Sequence, residues 1–285
     1  MSKKQFGINK ENGKVGTFSH GDFDIFDEPC NGFYKIISES KGFSTAYYFK
    51  KKEIQIPKSA DISIKHILDL NEVMNKFSDI AVKINNCFNI PTKEGVLLHG
   101  IQGSGKTTTL LALSNLFASK FDSCMIILIT GFGDLSAALG MINDSIKNDF
   151  PETRFVFVMD ECEDMFDDYE DDIKAILDGV NTVPNSLFLA ATNYIDKIPD
   201  SIKNRPSRFG YVRDVSRLQH EDVILSILQV LNNDLTDDLK LEDDMIRSFV
   251  PQLKGTTFDE LKRYFTQQVY NVNTAVSVPL QELNV

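Results

Sequence analysis

Gly100-Ile101-Gln102-Gly103-Ser104-Gly105-Lys106-Thr107 restricts this chain more than any other stretch of its sequence. Glycine at the first, fourth and sixth places admits left-handed backbone turns, and a Lys-Thr pair follows directly. Val96-Leu97-Leu98 before it reads as a buried strand, and Thr107 to Ala118 after it reads as a helix. A strand, a glycine-rich turn and a helix in that order point backbone N–H groups and the positive end of the helix at one spot, which suits a phosphate group. The strand also needs a sheet to join, so the chain is committed to an α/β fold.

The flanking pattern agrees. Met125 to Thr130, Phe155 to Met159 and Leu187 to Thr192 are apolar runs of strand length, separated by helical stretches from Asp134 to Lys147 and near Ile173 to Leu177. Such alternation predicts a parallel sheet covered on both faces. Ahead of it, from Ile64, apolar residues at Ile67, Leu70, Val73, Met74, Phe77, Ile80, Ala81 and Ile84 recur at steps of three and four, predicting one amphipathic helix with its stripe in the core. After Val215 only helices are expected: Leu218 to Leu231, Leu241 to Val250 stopped by Pro251, and Phe258 to Tyr270 opened by Thr257 with Glu260 at capping-box spacing. The predicted division is a β-rich N-terminal segment over 1–60, a nucleotide-binding α/β domain over 61–215, a helical lid over 216–270 and a tail over 271–285.

Residue chemistry sharpens the loop's meaning. Gly100, Gln102, Gly103, Ser104, Gly105, Lys106, Thr107 and Thr108 would surround the phosphates of ATP, with Lys106 on the β and γ phosphates and the Thr107 hydroxyl on Mg²⁺. Phe155-Val156-Phe157-Val158-Met159-Asp160-Glu161 is an apolar strand ending in two carboxylates at the sheet edge where the loop also lies. Asp160 suits the Mg²⁺ shell, and Glu161 suits orienting and deprotonating an attacking water. Leu187 to Thr192 ends at Asn193, placed to hydrogen-bond the γ-phosphate or the water.

With these residues in hand the chain resembles the AAA family of ring ATPases, over about Asp61 to Tyr270. The matching residues are the phosphate loop, Asp160-Glu161, Ile176-Leu177-Asp178-Gly179, Ala190-Ala191-Thr192-Asn193 and Arg205-Pro206-Ser207-Arg208-Phe209-Gly210. The resemblance implies that Asn193 is the first sensor and that Arg205 and Arg208 are arginine fingers reaching the ATP of an adjacent copy in a homo-oligomer, expected to be a hexameric ring. The phosphate loop lacks the family's common Pro-Pro. No second-sensor arginine is evident in Gly255-Thr256-Thr257-Phe258-Asp259-Glu260-Leu261, where much of the wider superfamily carries one, although Lys262 or Arg263 is near. A central-pore loop is expected between Thr130 and Asn143, carried by Phe132 or by Leu139-Gly140-Met141, with Phe132 equally suited to packing on the core.

The first 60 residues are rich in aromatics and read as a hairpin over Phe33 to Ser40 and Phe43 to Ile56, either an extension of the ATPase body or a recognition module. Asp160 to Asp172 holds nine acids and no base, which reads as a solvated loop and helix face or as a contact for a basic partner. A net charge of −11 opposes general attraction to nucleic acid and places a protein partner ahead of it. No apolar run is long enough to span a membrane, no signal-peptide core follows the start, and the four cysteines and four histidines form no ligand pairs, so a cytoplasmic address is expected. No His-Glu-x-x-His protease signature occurs. The leading expectation is therefore an ATP-hydrolysing motor that remodels or disassembles a protein partner. A loader or DNA-remodelling ATPase, and an assembly switch or scaffold held together by ATP, are the alternatives. A simple phosphotransferase fits least, because Glu161 serves water.

Overall fold

The computed structural model describes residues 29–41, 44–57, 68–179 and 183–275, together with the short strands β1 (Phe6–Asn9), β2 (Val15–Gly16) and β3 (Phe23–Phe26). Those three strands pair antiparallel in the order β2-β1-β3. A seven-stranded sheet forms the body, in the order β10-β6-β9-β8-β7-β4-β5. Its strands are β4 (Gly32–Lys41), β5 (Ser44–Lys52), β6 (Lys93–His99), β7 (Cys124–Ile129), β8 (Arg154–Met159), β9 (Ser186–Thr192) and β10 (Tyr211–Asp214). Every pairing in it is parallel except the β4–β5 hairpin. This is the α/β fold that the sequence predicts.

The central strands are buried on both faces, which explains why they read as unbroken apolar runs rather than as alternating ones. Leu97, Met125, Ile127, Phe155, Phe157 and Phe188 face one core, while Val96, Leu98, Ile126, Val156, Leu187 and Leu189 face the other. The helix after the phosphate loop, α3 (Lys106–Ala118), covers the second face with Leu110, Leu113 and Phe117. On the first face lie α4 (Phe132–Met141), which runs on through a π-helical stretch Ile142–Ile146, and α6 (Glu170–Asp178), through Leu135, Ile142, Ile173 and Ile176. Phe157 stacks on Phe188 at 5.0 Å across adjacent strands. Fully buried side chains of this size contribute about 1.5–3 kcal/mol each, so the sheet that holds the site is firmly stabilised by its two cores. A separate cluster of Ile224, Ile227, Leu228, Phe249, Leu261 and Phe265 joins α8 (Glu221–Asn233), α9 (Asp243–Leu253) and α10 (Phe258–Ala275) into the helical lid.

The structure revises several expectations. The predicted amphipathic helix is two helices, α1 (Leu70–Asn75) and α2 (Asp79–Cys87), while residues 58–67, with Ile64 and Ile67, lie outside the described residues. Ser78 is extended and its hydroxyl accepts from the Ala81 N–H, so the chain restarts there and the apolar stripe changes direction. Val73 and Phe77 are buried, whereas Ile80 and Ile84 are 72% and 52% exposed. Pro251 does not end its helix, which continues to Leu253. The last helix passes Tyr270 and runs to Ala275, and the remaining tail, 276–285, lies outside the described residues. Strand β10 has no counterpart in the sequence reading, because Tyr211-Val212-Arg213-Asp214 is short and half polar. The hairpin forms, with Phe43 outside the described residues, but β4 runs beside β7, pairing Gly32 with Met125 through Lys35 with Leu128. It therefore widens the body's sheet.

Candidate functional site

The carboxyl ends of β6, β8 and β9 coincide, since His99 pairs with Thr192 and Met159 with Ala190. Everything that follows those three residues emerges at one edge. From β6 comes the phosphate loop, with Gly103 at φ +78° and Gly105 at φ +86°. Both angles lie in the left-handed region, where a side chain is strained, so the two glycines are required by the turn itself. Gly105 is the N-cap of α3, which leaves the first N–H groups of that helix open to a ligand.

Lys106 opens α3, is only 7% exposed, and turns back over the loop. Its ammonium donates to the carbonyls of Gly100 at 2.8 Å and Ile101 at 2.9 Å, and at 3.4 Å to the Ser104 hydroxyl. Burial lowers its pKa below the ordinary lysine value, while the carboxylates of Asp160, Glu163 and Glu161 act in the opposite sense. The Thr107 hydroxyl donates to Asp160 Oδ2 at 2.5 Å, so the two groups proposed for Mg²⁺ are already in contact. Gln102 and Thr107 are exposed, and Ser104 and Thr108 half-buried. A left-handed glycine turn, a hydroxyl-carboxylate pair and a lysine held on replaceable carbonyl contacts fit a magnesium-bound nucleotide.

Asp160 and Glu161 leave β8 together. Asp160 Oδ1 accepts the N–H of Glu161, whose own φ is +50°, a conformation uncommon for a residue with a side chain. The next amide, Cys162, donates to the carbonyl of Ala191 in β9, and Gly100 N–H donates to Thr192, lacing the three strand ends together. Glu161 is thereby left exposed beside the loop. Asn193 follows β9 at the same edge and is half-buried. The acid-rich stretch is not all solvated, because it forms α5 (Glu163–Asp168) and turns Glu163 inward, 6% exposed, with Oε2 lacking a hydrogen-bond partner. Its composition alone hides this.

Arg205 and Arg208 are elsewhere. Lys93, the first residue of β6, donates to the Ser207 carbonyl at 2.7 Å, and Gly95 packs under the carbonyl of Arg208. The arginine loop is thus at the amino end of β6 and the phosphate loop at the carboxyl end, about 20 Å apart at the ordinary rise of a strand. Within the arginine loop the two side chains differ. Arg205 is 57% exposed and reaches Asp178 Oδ2 only at 3.4 Å. Arg208 is 6% exposed and makes a forked pair with Asp178, Nε to Oδ1 at 2.8 Å and Nη2 to Oδ2 at 2.6 Å. That pair holds the Asp178 carboxyl below the usual carboxylate range and raises Arg208 further.

Between Thr130 and Asn143 the chain is mostly helical. Helix α4 already begins at Phe132, whose ring stacks on Tyr169 at 4.4 Å, and Leu139 is buried in the core. What the sequence reading misses is a cavity of about 250 Å³ beside the phosphate loop, bounded by Ser104 and Thr109 on one side and by Leu218, His220, Val223 and Phe258 on the lid side. The lid touches the loop directly: the Asp259 N–H donates to the Gly103 carbonyl at 3.0 Å. The capping box that orients this end of α10 is complete, with Thr257 N–H on Glu260 Oε2 at 2.7 Å and Glu260 N–H on Thr257 Oγ1 at 3.1 Å.

Residues 96–217, from β6 to the first residues after β10, match the family model described as ATPase family associated with various cellular activities (AAA). Over that region the chain resembles the AAA family. Protein CdcH of Halobacterium salinarum is 27% identical over 198 residues, which are 66% of this chain and 24% of that protein. Replication factor C subunit 5 of Homo sapiens is 26% identical over 150 residues, 50% of this chain and 42% of that protein. The chain therefore spans less than half the length of either relative. Among the described residues no helix is long and apolar enough to cross a membrane.

Proposed function

We propose that this protein hydrolyses ATP at a seam between two copies in a ring, expected to be a hexamer in the cytoplasm, and uses the cycle to remodel a protein partner. The observation that carries the seam is the separation along β6: Glu161, Lys106 and Thr107 stand at one end and the arginine loop at the other, out of reach of its own phosphate loop. In the working site Lys106 would exchange its bonds to Gly100 and Ile101 for phosphate oxygens, and Thr107 and Asp160 would hold Mg²⁺. The metal, when bound, neutralises phosphate charge. Glu161 takes the proton of the attacking water, Asn193 orients that water, and the guanidinium groups of the next copy balance the charge that develops. The cavity facing Leu218, Val223 and Phe258 receives the base.

Specific activity that rises with protein concentration, and that is lost in Glu161→Gln, tests this reading. Turnover that stays constant on dilution to the monomer would reject the seam.

The likeness to a replication factor C subunit supports a second reading, an ATPase that acts with nucleic acid. The net charge of −11 weighs against it, and the packed Phe132 weighs against threading of a polypeptide, so stimulation by DNA and by unfolded protein should be measured side by side.

A further inference from the structure

We propose that the two arginines divide their work: Arg205 is the guanidinium offered to the neighbouring copy, and Arg208 is a positioning residue that, through Asp178, fixes the loop carrying Arg205. The inference rests on hydrolysis at a seam between copies and assigns the roles within it.

Each guanidinium nitrogen of Arg208 already donates a hydrogen bond inside its own chain. Nε and Nη2 fork onto the two oxygens of Asp178, and Nη1 donates to the Ser201 carbonyl. To reach a neighbour, Arg208 would have to leave Asp178 with only its long contact to Arg205, and it would need to open a site in which it is 6% exposed. Arg205, in contrast, has one long contact and a side chain that is more than half exposed.

The loop between them is held from three sides. Arg205 O accepts the N–H groups of Arg208 at 2.8 Å and Phe209 at 3.2 Å, closing the turn around Pro206. Ser207 O accepts from Lys93. Phe209 is buried beside Phe166, and Gly95 leaves no space beneath, since a Cβ there would fall 2.1 Å from Arg208 O. Asp178 sits at the last turn of α6, where Gly179 takes a left-handed φ of +99° and ends the helix. The carboxylate therefore ties the end of α6 to the turn that presents Arg205. A planar fork of two bonds sets orientation as well as distance, which a lysine at 208 cannot reproduce.

The experiment measures kcat and KM for ATP, and amide hydrogen exchange across residues 201–210, on the assembled full-length protein. Arg205→Ala is expected to lower kcat by about 10³-fold, with KM and exchange unchanged. Arg208→Ala and Asp178→Asn are each expected to lower kcat by a smaller and similar factor, about 10-fold, and to speed exchange in the loop. The double variant should be no worse than either single one, because both remove the same coupling. Arg208→Lys should behave as Arg208→Ala does.

A kcat in Asp178→Asn equal to or above wild type, with Arg208→Ala as damaging as Arg205→Ala, would overturn the proposal and make Arg208 a finger in its own right. Should Asp178→Asn not fold, Asp178→Glu is measured instead, and wild-type kcat with unchanged exchange there would count against the proposal in the same way. Failure of the seam itself looks different: both arginine variants would keep full turnover, and specific activity would not change with protein concentration.

Discussion

The phosphate loop and the arginine loop lie at opposite ends of one strand and are built by opposite means. The first is shaped by its own backbone, through left-handed glycines at 103 and 105 and a lysine that folds onto the loop preceding it. The second is shaped by partners distant in sequence, Asp178 thirty residues before Arg208 and Lys93 at 114 residues before Ser207. The first keeps its lysine on carbonyl contacts that phosphate oxygens can replace. The second spends one charged side chain to hold another outward. The difference teaches that a family motif identifies the loop but does not say which of its arginines is available.

The comparison breaks most sharply at Glu161. Glu161→Gln should lower turnover by about 10²–10⁴-fold while nucleotide binding, followed with a fluorescent ADP analogue, stays within a few-fold of wild type. Loss of binding together with turnover would show that the exposed carboxylate helps to build the pocket, and the phosphate side would then be as structurally braced as the arginine side.

A smaller effect separates the two loops by pH. The Asp178 carboxyl is held below its ordinary range by the Arg208 pair, with Arg205 and Lys93 adding positive charge nearby. A depressed folded-state value stabilises the fold fully above the unfolded value, near pH 4, and the stabilisation is lost as pH falls through the folded value. Asp178→Asn should therefore lower stability at pH 7 in urea melts, by about 1 kcal/mol once solvent screening of the carboxylate is allowed for, and the gap should narrow progressively as pH falls below about 4. A gap that does not narrow at all as pH falls below about 4 would assign the loss to packing.

Gly103→Ala asks whether the phosphate loop owes its shape to backbone freedom. Left-handed φ for alanine costs about 1–2 kcal/mol, and the new methyl would meet Asp259 Cβ at 3.3 Å. Nucleotide affinity should fall about 5- to 30-fold by titration. Gly133→Ala is the control: it lies in α4 with nothing within 4 Å of an added Cβ, and it should leave affinity unchanged.

This contrast also explains what was legible in the sequence. The phosphate loop, Asp160-Glu161 and Asn193 could be placed because each follows a strand whose apolar run is unmistakable, and parallel register then brings the strand ends together. The arginine loop was legible as a motif, whereas the burial of Arg208 was not, since its partner is set by the packing of α6 against the sheet. The same reason hides the turn of Glu163 into the interior and the stacking of Phe132 on Tyr169. The break at Ser78 was missed because an apolar spacing of three and four continues across it, and only the serine cap in the structure shows that the second half of the stripe faces solvent.

The mildest test concerns the lid, where the glycine turn of the phosphate loop has a further long-range partner. The Asp259 amide bonds Gly103, and its carboxylate lies over the same glycine, with Oδ2 at 3.1 Å from where a Cβ would stand. A phosphate settling on the Gly103 turn meets that negative charge, but the aspartate is exposed, so water and salt weaken the repulsion. Asp259→Asn keeps the amide bond and removes the charge. It should tighten ADP binding by about 2- to 5-fold at low salt, with the gain shrinking toward zero as ionic strength rises to about 0.5 M. Tightening that is indifferent to salt would point to a change in lid geometry. Weaker binding would show that the carboxylate assists the loop, and the phosphate side would then share the dependence on distant acids that marks the arginine side.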